Sequence, residues 1–388
     1  MYGTMENSEA TGNSKTVEAK VNNPYHSVTP AEDGMFNFVM SKKGDPIALK
    51  EQELNYFDTF LGPATAVNMF STSGFEKTYI EAYKAGAIRG KKTFIGGSFG
   101  SFRFCALLGS LLRGVDLVTP FHDHVIGMTY RKGDTPDVLK PMLGTAREIV
   151  ASDETVNAIL HSKQFSLGII VARLKPCISC CGTGFCLKVG LASMTCCNLC
   201  CRCSQGMTYE RLLFYSGDAP PESCPRNHFA EFHKLTPENF RSALAASSMI
   251  PGVTPPVNYI EGVGKASYID AAISDFQVGF RVTDGYRALV VTAVEDSRKI
   301  SRTMMDSVGC CHGIPNNLLD NTCVIHPTAS FRRAVSPKGG EWEKDALPNL
   351  NDWFNKDFVA SPSIRQRFWR KTKSMSENNW TFGIGMKA

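Results

Sequence analysis

The sequence predicts an α/β fold with a mostly parallel central sheet covered by helices. Between about residues 31 and 335, short apolar runs alternate with longer amphipathic segments, and this alternation is typical of strands and their covering helices. Most of the short runs are apolar at nearly every position, as in parallel strands that are buried on both faces. The apolar fraction of 43% lies in the range of folded globular chains.

The alternating region is predicted to contain these strands: Ala64–Phe70, Thr93–Gly96, Leu167–Ala172, Arg211–Tyr215, Ser267–Ile269 and Ala288–Val294. The predicted helices are Lys77–Ala85, Ser101–Arg113, Pro136–Ala151 and Pro237–Ala246. The last helix has a start signal, because Thr236 can cap it and Pro237 suits a first helical turn.

Two segments of different composition flank this region. Residues 1–30 are predicted to be a disordered leader, and its polar part, Met1–Asn22, lacks the apolar stretch of a secretory signal. Residues 336–388 are predicted to be a basic extension that contains all four tryptophans. From Phe331 onward, eleven Lys/Arg face six Asp/Glu, which accounts for the whole net charge of +5.

So mild a net charge does not indicate a nucleic-acid binder. With no apolar run of transmembrane length, a cytoplasmic protein is expected.

Residues 177–203 hold nine cysteines and are otherwise mostly apolar, which predicts an insert or lid on the domain of residues 31–335. The spacing Cys177-x2-Cys180 with Cys197-x2-Cys200 fits a four-thiolate zinc site. The same composition suits a lipid-facing, S-acylated element or simple packing of small apolar side chains. These three interpretations remain open at this stage.

A candidate nucleophile lies in Gly96-Gly97-Ser98-Phe99-Gly100, which matches the pattern G-x-S-x-G. A short predicted strand leads into the motif and an apolar predicted helix leads out of it, which is the context of a nucleophile elbow. Flanking glycines permit the tight turn that lifts the serine above a sheet. The alternative is an ordinary glycine-rich turn in which Ser98 caps a helix.

A serine nucleophile needs a base within hydrogen-bond reach. His312 and His326 follow the serine in the chain, as the histidine of an α/β-hydrolase does. Asp270 is the other candidate, because it follows a predicted strand and precedes the small residues Ala271 and Ala272. Its alternative role is that of a turn residue.

Four segments, taken in order, resemble the patatin-like phospholipases, and a bacterial branch of that family most closely. They are Ser71–Lys77 for a glycine-rich oxyanion loop, Gly96–Arg103 for the elbow, Ala246–Val253 for the family's Ala-Ser-x-x-Ile-Pro segment, and Tyr268–Ala272 for its Asp-Gly-Gly or Asp-Gly-Ala.

The resemblance implies a three-layer α/β/α fold and a serine lipid acyl hydrolase that works through a Ser-Asp dyad. Ser98 would be the nucleophile and Asp270 its base, with no metal or cofactor in the chemistry. The backbone N–H groups of Gly74, Phe75 and Phe99 would form the oxyanion hole. The expected partner is a phospholipid or related lipid substrate.

Two departures from the family pattern favour an alternative function. Phe75 and Ala271 stand where the family has glycine, which would fit a catalytically silenced relative that binds lipid or a partner. The tail segment Ile364–Lys371 mixes cations with aromatic side chains. Such a mixture suits peripheral contact with an anionic membrane surface, although a basic run is also typical of a solvated face.

Overall fold

The computed structural model of the chain describes residues 25–30, 36–41, 54–62, 66–128, 136–175, 209–249, 254, 256–271, 280, 282–291, 322–327 and 362–380. The cysteine-rich segment 177–203, His312 and the leader before residue 25 lie outside these ranges, so the zinc, acylation and packing interpretations of that segment stay predictions.

All the described strands belong to one sheet. They are β1 (Tyr25–Pro30), β2 (Phe36–Ser41), β3 (Thr59–Gly62), β4 (Lys92–Gly97), β5 (Phe165–Leu174), β6 (Tyr209–Tyr215), β7 (Glu231–Lys234), β8 (Val257–Ile260), β9 (Gly264–Ile269), β10 (Ala288–Val291) and β11 (Thr322–Pro327). They lie in the order β1-β2-β11-β10-β3-β4-β5-β6-β7, while β9 pairs with β5 and β8.

The centre of the sheet is parallel. Strands β11, β10, β3, β4 and β5 pair in parallel with one another. Antiparallel pairs flank this group, as between β2 and β11 or β5 and β6, while β6 and β7 are again parallel. The prediction of an α/β fold with a mostly parallel central sheet is confirmed. The flanking helices are compatible with the three-layer arrangement.

The described α-helices are α1 (Ser73–Lys84), α2 (Phe99–Arg113), α3 (Val118–Gly127), α4 (Pro136–Val150), α5 (Asp153–Leu160), α6 (Phe240–Ser247) and α7 (Pro362–Asn379). Helix α2 is buried from Gly100 to Leu111, which explains why its sequence is apolar on nearly all sides. In the ranges that the structure describes, every helix is too short or too polar to cross a bilayer.

The strand predicted at Ala64–Phe70 is wrong. Strand β3 lies earlier, at Thr59–Gly62, where all its side chains are buried between β4 and β10. Ala66–Thr72 forms a 3-10 helix instead, and its apolar residues Met69 and Phe70 enter the core from there. A short apolar run cannot by its pattern alone distinguish a buried strand from a buried helix.

Helix α6 begins later than predicted, at Phe240 rather than Pro237. Asn239 is its N-cap, and Asn239 and Thr236 bind each other: Asn239 Oδ1 accepts from the Thr236 N–H at 2.9 Å, and Thr236 Oγ1 accepts from the Asn239 N–H at 3.3 Å. This reciprocal pair has the form of a capping box, so Thr236 caps the turn that leads into α6, as the sequence predicted, although the helix itself starts three residues later. The predicted boundary of the leader is also too late, because residues 25–30 form β1.

Helix α7 packs into the main core, although the sequence predicted an extension beyond the domain. Trp369 packs against Phe70, and Trp380 against Phe75, with ring centroids 5.7 Å and 6.2 Å apart. Both tryptophans are at most 5% exposed. The boundary predicted at residue 336 therefore does not separate α7 from the rest of the fold.

Candidate active site

Ser98 lies in a sharp turn between the end of β4 at Gly97 and the start of α2 at Phe99. Its backbone has a φ of 52° and a ψ of −131°, and it is the one non-glycine residue with positive φ in the described ranges. So sparsely populated a conformation costs a residue with a Cβ roughly 1–3 kcal/mol. Strand, strained turn and helix together form the geometry of a nucleophile elbow.

The glycine at position 96 is needed for this turn. A Cβ built on Gly96 would lie 2.4 Å from the backbone nitrogen of Ser101 and 2.6 Å from the carbonyl carbon of Gly100. Both contacts are with backbone atoms of the turn, which cannot rotate away as a side chain can. The glycine therefore lets α2 return closely over β4.

The structure brings Ser98 and Asp270 together, although 172 residues separate them in the sequence. The Ser98 hydroxyl donates a hydrogen bond of 2.7 Å to Asp270 Oδ2, a length within the range of O–H···O bonds. Asp270 directly follows β9, which pairs with β5 beside β4, and its N–H donates to the Met249 carbonyl at 2.8 Å. Ser98 is 4% exposed and Asp270 2% exposed, so water is largely excluded from the pair.

His326 lies far from this pair. It belongs to β11, which is separated from β4 by β10 and β3. Three strand spacings place its backbone roughly 14 Å from that of β4, whereas a general base must approach within about 3 Å of its proton or act through one water. Of the two histidines considered as the base, the other, His312, lies outside the described residues.

The N–H of Phe99 is the predicted oxyanion donor that best fits the structure. Phe99 is the first residue of α2, and N–H groups in a first helical turn have no acceptor within their own helix. The positive end of the helix dipole also favours negative charge at this position. The N–H of Ser98 itself points elsewhere, since it donates to Ser247 Oγ at 2.9 Å.

The segment predicted to be a glycine-rich oxyanion loop is not a loop around Gly74 and Phe75, because these residues form the first turn of α1. The Gly74 N–H donates to Ser376 Oγ of α7 at 2.9 Å, so this donor is already engaged. The Phe75 ring is fully buried and packs against Phe60. The glycine that was interpreted as part of a loop thus serves the contact between two helices.

A buried ion pair joins α1 and α2, and it was missed in the sequence. Arg103, on α2, donates from Nε to Glu76 Oε1 at 2.6 Å, and its Nη2 also contacts this oxygen. Burial raises the pKa of Glu76 to about 7, although the Arg103 guanidinium acts to lower it. The available signal was Arg103 itself, a charged residue within an apolar helix, because a fully buried arginine is rarely found without a partner of opposite charge.

Ser247 is a further residue that the sequence did not single out. It ends α6 and is fully buried, and its hydroxyl contacts both the elbow and β5. Its position in the Ala-Ser-x-x-Ile-Pro segment was the available signal, but pattern alone gave it no role.

Comparison of the chain with protein-family models, with curated proteins and with solved structures found no match. The arrangement of Ser98, Asp270 and the α2 N-terminus therefore carries the functional argument.

Proposed function

We propose that this chain is a serine lipid acyl hydrolase of patatin-like type, which cleaves fatty-acyl esters of phospholipids or related lipids through a Ser98–Asp270 dyad. One observation carries the proposal: a serine held in a strained elbow donates a 2.7 Å hydrogen bond to a buried carboxylate. A strained residue bound to a buried acid is expensive to maintain, and such features concentrate at functional sites.

The geometry suits acyl transfer in two steps. Ser98 Oγ attacks the acyl carbonyl carbon while its proton passes to Asp270 Oδ2, and the carbonyl oxygen becomes an oxyanion that the Phe99 N–H can stabilise. The carbonyl re-forms as the alcohol leaves with that proton, which yields an acyl-serine. Water then attacks the acyl-serine with Asp270 again as the base, and the fatty acid and free Ser98 are released.

A catalytically silenced lipid- or partner-binding protein is the second candidate, and one observation favours it. The segment that the resemblance assigns to the oxyanion loop is helical, and its Gly74 N–H is bound to Ser376. Loss of one oxyanion donor typically lowers kcat by about 100-fold to 1,000-fold. The dyad could then remain in place with little turnover.

Labelling by a fluorophosphonate probe distinguishes the two candidates. Ser98 attacks the phosphorus and fluoride leaves, which requires both an activated serine and a site that stabilises the oxyanion. We expect the wild-type protein to be labelled and Ser98→Ala and Asp270→Asn to remain unlabelled. Ser242→Ala is a matched control, because the Ser242 hydroxyl donates to the Asn239 carbonyl at the start of α6 and, in the part of the chain that the structure describes, does not contact the dyad.

The outcomes are distinct. Labelling that survives Asp270→Asn would contradict the dyad and point to another base. A folded wild-type protein that stays unlabelled would reject the hydrolase and favour the binding protein, which liposome sedimentation of wild type and Ser98→Ala would then test.

We also propose that α7 contacts anionic membrane surfaces electrostatically. Its exposed face carries Arg367, Arg370 and Lys371, whereas Phe368 and Trp369 are buried. Phe368 and Trp369 are therefore not expected to insert into lipid, and the cations contribute about 1 kcal/mol each near such a surface. We expect sedimentation with vesicles rich in phosphatidylserine but not with phosphatidylcholine alone. Binding that persists after all three cations are replaced by Gln would refute this contact.

A further inference from the structure

The hydroxyl of Ser247 joins three elements at the elbow. It accepts a hydrogen bond from the Ser98 N–H at 2.9 Å and donates one to the Ile170 carbonyl of β5 at 2.6 Å. It also lies 3.2 Å from the hydroxyl of Ser101, in the first turn of α2. The nucleophile, the neighbouring strand and the nucleophile helix thus meet at one side chain.

These contacts use the full bonding capacity of the hydroxyl. A serine hydroxyl has one proton to donate and two lone pairs that accept. Because its proton goes to the Ile170 carbonyl, Ser247 accepts from both Ser98 and Ser101. The Ile170 carbonyl therefore orients the Ser247 hydroxyl so that a lone pair of its oxygen accepts the hydrogen bond from the Ser98 N–H.

The Ser98 N–H needs such an acceptor because the residue is buried in a strained conformation. Ser98 is 4% exposed with a φ of 52°, and such conformations persist only where the surroundings enforce them. The bond to Ser247 turns the Ser98 N–H away from the acyl site. The next amide, that of Phe99, is then the first of α2 and takes the position of an oxyanion donor.

We infer that Ser247 is a positioning residue for the Ser98 nucleophile, which acts by fixing the backbone of the elbow rather than by touching the substrate. The inference rests on the proposed hydrolase function. It predicts that loss of the Ser247 hydroxyl affects the chemical step and leaves substrate binding nearly unchanged.

The neighbouring serine provides a matched control. Ser248 is also buried, at 5% exposed, but among the described residues its hydroxyl donates within its own helix end, to the carbonyls of Leu244 and Ala245. Ser247→Ala and Ser248→Ala therefore remove the same atom from adjacent sites, and only the first removes a contact with Ser98.

The test compares kcat and KM for hydrolysis of a short-chain p-nitrophenyl ester by wild type, Ser247→Ala, Ser247→Cys and Ser248→Ala. For Ser247→Ala we expect kcat to fall by about 10-fold to 100-fold, the effect of a small displacement of reacting groups, with KM changed less than about twofold. Ser247→Cys, whose thiol is a weak acceptor and donor, is expected to be intermediate. Ser248→Ala should keep the wild-type kcat. The cysteine variant carries the test if the alanine variant does not fold.

A second measurement does not depend on activity. Hydrogen exchange of the peptide that contains Ser98 should be slow in wild type and in Ser248→Ala and at least about tenfold faster in Ser247→Ala. If wild type shows no hydrolysis, the proposed function fails, and the exchange result still decides the positioning role. Wild-type kcat in Ser247→Ala, equal losses in both alanine variants, or unchanged exchange would each overturn the inference.

Discussion

Replacing Gly74 by alanine tests the contact between α1 and α7 that displaced the predicted oxyanion loop. A Cβ at this position would lie 2.2 Å from the Cβ of Trp380 and 2.5 Å from the carbonyl oxygen of Ser376. Neither atom can move by side-chain rotation alone. Gly74→Ala must therefore push α7 away from α1, which also breaks the bond from the Gly74 N–H to Ser376 Oγ.

The expected cost follows from three terms. Overpacking of a well-packed core costs about 1–3 kcal/mol, and contacts this short belong at the upper end of that range. Loss of the buried hydrogen bond to Ser376 Oγ costs about 1 kcal/mol more, and the exchange of glycine for alanine within a helix returns about 1 kcal/mol. We therefore expect the free energy of unfolding to fall by about 3 kcal/mol.

Urea unfolding followed by tryptophan fluorescence measures this change, because Trp380 lies at the contact itself. Gly144→Ala is the matched control: Gly144 is also helical, in α4, but the nearest atom to its Cβ would be Arg147 Nη2 at 3.9 Å. That variant should be stabilised by roughly 0.5–1 kcal/mol. A Gly74→Ala protein as stable as Gly144→Ala would refute the packing of α7 on α1.

Three further outcomes are expected. Burial raises the pKa of Glu76 from 4.5 to about 7, which means that the folded state favours the protonated carboxyl. The stability that this preference contributes is fully present below pH 4.5 and is lost as the pH rises through 7. Arg103→Leu removes the opposing cation, so urea unfolding should show a loss of about 3 kcal/mol at pH 8 and a smaller one at pH 5; equal losses would contradict this. Gly96→Ala should abolish fluorophosphonate labelling of Ser98, because its Cβ would collide with the turn, and normal labelling would contradict the elbow geometry. Burial raises the pKa of the Cys105 thiol, so peptide mapping should find it unmodified by iodoacetamide until urea unfolds the chain, and rapid native modification would refute its burial.

The elements predicted correctly are those whose signal is local. Strands β4 and β5 and helix α2 are long or continuous apolar segments, and the glycines of the elbow mark its turn. Strand β3 has only four residues, too few to distinguish it from the apolar residues that follow. The pairing of Ser98 with Asp270 spans 172 residues, so residue patterns alone left the base open and the family resemblance was needed to choose it.

The features that sequence reasoning missed all depend on tertiary contacts. Gly74 was interpreted as a loop glycine, yet its lack of a Cβ is explained by Trp380. The cations and aromatic residues of α7 were interpreted as one mixed surface, whereas the helix separates them onto opposite faces. Glu76 lies in the segment that was interpreted as an oxyanion loop, whereas Arg103 pairs with it in the core.

The contact between α1 and α7 also means that the core of this protein is completed only late in its synthesis. Gly74 and Ser376 are 302 residues apart, so the ribosome makes the α1 surface long before it makes the helix that covers it. Until α7 emerges, Phe70 and Phe75 lack two of the rings that pack against them, Trp369 and Trp380, and exposed apolar surface of this kind promotes aggregation of nascent chains. A chain that stops before residue 362 would still contain Ser98 and Asp270 but would leave Phe70 and Phe75 without these rings, so we expect its solubility to fall.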